Sequence, residues 1–99
     1  MANVLPIVTI TSPAEASTVA NQTITGTVSS GGAAAVVGQT VTLTDNGTTI
    51  GTAVVQADGS FSASVTLTNQ GTNAIVATVT DSYGNTGTSA AVVDTLGNV

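Results

Sequence analysis

Thr40-Val41-Thr42-Leu43-Thr44 alternates polar and apolar side chains with a period of two, and the same rhythm recurs along most of the chain. In an extended strand successive side chains point to opposite faces, so each such run predicts a half-buried β-strand. The runs cover residues 7–11, 23–28, 40–44, 48–56, 61–67, 72–80 and 86–93. Residue type agrees with the period. Of the 99 residues, 20 are Thr, 15 Val and 5 Ile, and β-branched side chains suit a pleated, half-buried surface. Disordered acidic segments lack such residues, so the chain is expected to fold.

The breaks between runs carry turn chemistry. Asp45-Asn46-Gly47 is a hairpin signal, because Asn and Gly tolerate the positive φ of a tight turn. Ala57-Asp58-Gly59-Ser60, Asn69-Gln70-Gly71 and Asp81-Ser82-Tyr83-Gly84-Asn85 read as further turns. Seven short strands at regular spacing, with no helical period, predict an all-β, immunoglobulin-like antiparallel β-sandwich. A length of 99 residues suits one domain. Residues 1–6 are read as a linker or expression scar, 7–94 as the domain and 95–99 as a C-terminal linker. The expected core is Phe61, Ile75, Val79, Val41 and Leu43, surrounded by Ile24, Ile50, Val65 and Leu67.

Composition narrows the function. The chain has no Lys, Arg, His, Cys or Trp. No imidazole base, thiolate or ordinary zinc site can be built, so no enzyme is expected. Nothing can pair with a phosphate, and a net charge of −5 repels nucleic acid. No apolar run is long enough to span a membrane as a helix, and Met1-Ala2-Asn3 does not begin a signal peptide. The isolated domain is expected to be monomeric.

The five acids are Glu15, Asp45, Asp58, Asp81 and Asp94. Each is read in a turn or at a strand end, where a carboxylate ordinarily bonds nearby backbone N–H groups. Tracing the strands up and down sorts them into two poles. Glu15, Asp45 and Asp94 fall at the lower one, and Asp58 and Asp81, with Asn85, at the upper. With no cation in the chain, each pole should attract a hard divalent ion. Ca²⁺ fits, since it takes about six to eight oxygen ligands including carbonyls and water. One pole alone supplies too few carboxylates, so a neighbouring copy is expected to complete the site.

Four stretches together resemble the bacterial Ig-like repeat of giant, type I-secreted, RTX-type adhesins. They are Asp45-Asn46-Gly47 with Ile50-Gly51-Thr52-Ala53, Ala57 to Phe61, Gly71-Thr72-Asn73, and Thr80 to Thr86. The resemblance implies an extracellular extender at the bacterial cell surface, repeated in tandem, projecting a ligand-binding tip and stiffened by Ca²⁺ between repeats. It places Asp81 and Asn85 at one pole and Asp94 at the other. The alternative is a secreted module that binds carbohydrate or ice. Ice binding would rest on the Thr-x-Thr arrays of Thr23, Thr25 and Thr27 with Thr40, Thr42 and Thr44, taken to line one sheet face, and carbohydrate binding on the lone Tyr83. Thr is, however, a common solvent-facing strand residue.

Overall fold

A computed structural model describes residues 5–12, 16–30 and 36–97. No helix occurs among them, and the elements in chain order are β1 (Ile7–Ile10), β2 (Ala16–Ser17), β3 (Asn21–Ser29), β4 (Thr40–Asp45), β5 (Thr48–Val54), β6 (Ser60–Thr66), β7 (Gly71–Thr80), β8 (Thr86–Thr88) and β9 (Val92–Leu96). One sheet has the order β1-β3-β6, and the other β2-β9-β7-β4-β5, with β8 also paired to β7. The all-β sandwich expected from the alternation is therefore present.

One short strand was not expected and one expected strand is divided. After β1, beside β3, the chain crosses to the other sheet as the short β2, which runs parallel to β9. The last expected strand is interrupted between β8 and β9, where Ser89 Oγ accepts from Ala77 N–H at 2.9 Å and Ser89 N–H donates back to the Ala77 carbonyl. The final strand also runs further than expected. It continues through Leu96, which is buried, so Asp94 lies inside a strand rather than at the start of a tail.

The inward faces meet in one core. Val41, Leu43, Ile75, Phe61 and Val79 are at most 1% exposed, with Ile24, Val65 and Leu67 packed around them. Ile50 is only partly buried, and the cause is local. The β4–β5 register shifts between Leu43 and Thr44, and Ile50 is the unpaired extra residue of this bulge. Beyond it the phase of β5 brings Ala53 inward, and Val55 just past the strand is buried as well. The Thr arrays also separate: Thr23, Thr25 and Thr27 belong to the three-stranded sheet, whereas Thr40, Thr42 and Thr44 lie on the other.

The single Phe needs a gap to sit in. Phe61 on β6 is opposite Gly26 on β3, which in turn is opposite Ile10 on β1. A Cβ on Gly26 would overlap the Phe61 ring and the Thr9 carbonyl. Gly26 thus lets the largest core side chain lie flat against the backbone of the central strand. Gly26→Ala is expected to cost about 1–3 kcal/mol through overpacking, and Phe61→Ala about 3–5 kcal/mol through the cavity it leaves. Urea unfolding measures both, and a neutral Gly26→Ala would contradict this packing.

Candidate functional site

The two poles are where the chemistry-bearing side chains gather. The ends of β4 and β9 with the 67–70 loop form the lower pole, and the 55–59 and 81–85 loops belong to the upper one. Glu15 lies outside the described residues. Among the described aspartates, Asp45, Asp81 and Asp94 are 0%, 4% and 2% exposed, and only Asp58 faces solvent.

The reason for this burial is strand phase. Asp45 continues the inward row of Val41 and Leu43 on β4, Asp81 follows Val79 at the end of β7, and Asp94 shares its phase with Leu96. Asn73, fully buried, precedes Ile75, Ala77 and Val79 in the inward row of β7. The alternation that locates the core therefore also carries a polar residue inward wherever one falls in phase. That signal was legible for Asn73, which turn chemistry alone passes over.

At the upper pole the oxygens are engaged locally. Asp81 Oδ1 accepts from the backbone N–H groups of Tyr83 and Asn85, both at 2.9 Å, and Oδ2 accepts from Asn85 Nδ2 at 3.3 Å. This carboxylate folds its own loop. Asp58 Oδ1 accepts from the Ser60 hydroxyl at 2.6 Å and from Ser60 N–H at 3.0 Å, and these two bonds hold its carboxyl below the ordinary Asp range. Tyr83 stands at the loop tip, 54% exposed.

The lower pole is built differently. Asn73 is opposite Asp94 across β7 and β9, and Asp45 is opposite Ile75, two residues along the same face of β7. Asn73 Nδ2 donates to the carbonyls of Asn69 at 3.0 Å, Gly71 at 3.1 Å and Asp94 at 3.4 Å, and its Oδ1 accepts from Asn69 N–H. Asn46, in the positive-φ turn, reaches β7 as well, donating to the Thr72 carbonyl and accepting from Ala74 N–H. Asp45 Oδ2 accepts from the N–H and hydroxyl of Thr68, each at 3.0 Å. Asp45 Oδ1 is buried and has no hydrogen-bond partner. A buried polar atom left so costs about 1–3 kcal/mol, and more when charged.

Among the described residues no three acidic side chains gather closely enough to hold a metal ion. Asp45 Oδ1 is the one buried side-chain oxygen or nitrogen there that lacks a partner, so it suits a cation as ligand. The Asp81 carboxylate, with three donors on it, suits one poorly.

No protein-family model and no curated protein matches the chain. A solved structure of fibronectin(III)-like modules of Clostridium thermocellum CbhA superimposes with a TM-score of 0.73 at 21% identity, covering 94% of this chain and 98% of that one. The likeness is one of fold: a two-sheet, immunoglobulin-like sandwich of the fibronectin(III) kind.

The Asp58 turn gives a measurable pH effect. Its carboxyl is held below the ordinary value, so its contribution to stability is full above about pH 3.9 and is lost as pH falls through the lowered value. Asp58→Asn keeps an acceptor for Ser60 and removes the titration. Urea unfolding at about pH 6 is expected to show the parent more stable than the variant, with the gap narrowing as pH falls below about 3.9. A gap unchanged by pH would contradict the assignment.

Proposed function

We propose that this chain is a non-catalytic spacer repeat of a bacterial extracellular surface protein, joined in tandem to copies like itself and holding a binding tip away from the cell. The observation that carries this reading is axial. The strand β1 starts at the upper pole and β9 ends at the lower pole of a body 52 Å long and 22 by 18 Å across. Copies joined end to end then continue one axis. The strands lie along that axis, and the ten residues of β7 alone span about 33 Å, so each copy adds length efficiently.

The flanks suit a spacer too. Thr52, Thr42, Thr78 and Thr88 form a rank in register across β5, β4, β7 and β8, and Ser62 and Ser64 face solvent on the other sheet. Hydroxyl groups solvate these sides without any positive charge to attract nucleic acid or acidic surfaces. The adhesin-like turns and the likeness to fibronectin(III)-like modules of a bacterial protein support the same reading.

Ca²⁺ at the junctions is the stiffening element of this proposal. Asp45, Asp94 and Glu15 belong to the lower pole, and Asp58, Asp81 and Asn85 to the upper pole of the next copy. Such an ion supplies neutralisation of facing carboxylates and oxygen bonds made only in the aligned geometry. Small-angle scattering of a two-copy fusion tests the spacer. The expected maximum dimension is close to twice that of one copy, and a value near the single-copy length would overturn the reading.

A further inference from the structure

We propose that each module binds one hard divalent cation at the lower pole, anchored by Asp45 Oδ1. This rests on the ion of the reading above and narrows it to one anchoring residue, Asp45.

The argument begins with what Asp45 lacks. Its side chain is fully buried, Oδ2 is held twice by Thr68, and Oδ1 meets no donor. Water would supply a hydrogen bond and leave the charge uncompensated. The usual compensation, a Lys, Arg or His side chain, does not exist anywhere in the chain. A cation from solution answers both needs at once.

The surroundings favour a hard ion. Asp45 shares the inward face of the sheet with Asn73, whose strand partner is Asp94. The 67–70 loop closes over this end through Thr68 and Asn69. Its polar atoms are oxygens and amide nitrogens, with no sulfur or imidazole, and oxygen donors select Ca²⁺-like ions. The upper pole offers no equivalent, since both oxygens of Asp81 and the accepting oxygen of Asp58 are already bonded.

The test is titration of the 99-residue chain with CaCl₂ by calorimetry, with melting followed in CaCl₂ and in EDTA. One Ca²⁺ per chain is expected, with a rise in melting temperature of about 10–20 °C at a hundredfold excess over its dissociation constant. Asp45→Asn keeps an acceptor for Thr68 and removes the anchoring oxygen, so both the binding heat and the rise should vanish. Asp81→Asn should retain both. A parent chain without binding heat and without a melting shift overturns the inference and leaves water at Oδ1. An Asp45→Asn chain that still responds, or an Asp81→Asn chain that does not, overturns it as well. The spacer reading is judged separately: an extended tandem that binds no ion keeps the spacer and loses the site, and an ion-binding tandem that folds back does the reverse.

Discussion

A chain without a single Lys, Arg or His must settle every carboxylate with neutral partners, and that constraint shapes both ends of this molecule. Hydroxyls and backbone N–H groups are the available donors, so Asp45, Asp58 and Asp81 sit at strand ends and turns where N–H groups are free of the sheet ladder. Asp58 takes those of Ser60, Asp81 those of Tyr83 and Asn85, and Asp45 those of Thr68. The bonds of Asp58 and Asp81 close their own turns, and those of Asp45 tie the 67–70 loop to the end of β4. Three of the four described aspartates are also buried, and a fold assembled this way depends on geometry more than on ion pairing.

The middle of the sandwich follows a second economy, that of a small core with one large aromatic side chain. Phe61 spans from β6 across the Gly26 position of β3, and Val41, Leu43, Ile75 and Val79 complete the contact from the opposite sheet. The central strand must lack a side chain there for Phe61 to lie against it. Aliphatic residues fill the rest of the core, and Thr and Ser make up much of the sheet exteriors, with Ile7, Val54 and Val93 exposed among them. Packing and solubility are thereby assigned to opposite faces of the same strands.

Much of this was legible in the alternation. The inward rows of β4, β6 and β7 follow from the period alone, and the turns at Asn46-Gly47 and Asp58-Gly59 from their residue types. What escaped came from tertiary pairing. The bulge at Ile50 depends on how β5 meets β4, and the crossing from β1 to β2 on a partner far along the chain. Asp94 is read at a strand end because Asp is common in turns, although its phase with Leu96 argues for a strand interior. The same habit hid the depth of Asp45. Residue preference and strand phase disagree at these positions, and phase prevails because slipping by one residue would expose the whole inward row.

The central claim is that the carboxylates of this cation-free chain are internal caps and that one of them, Asp45, keeps an oxygen for an ion. An atomic-resolution crystal structure of the chain grown from CaCl₂ addresses it most directly. The account predicts a cation about 2.3–2.6 Å from Asp45 Oδ1, with Asp81 still bonded to Tyr83 and Asn85 and carrying no ion. Water alone at Asp45 Oδ1, or Ca²⁺ seated on Asp81 and Asn85, would contradict it.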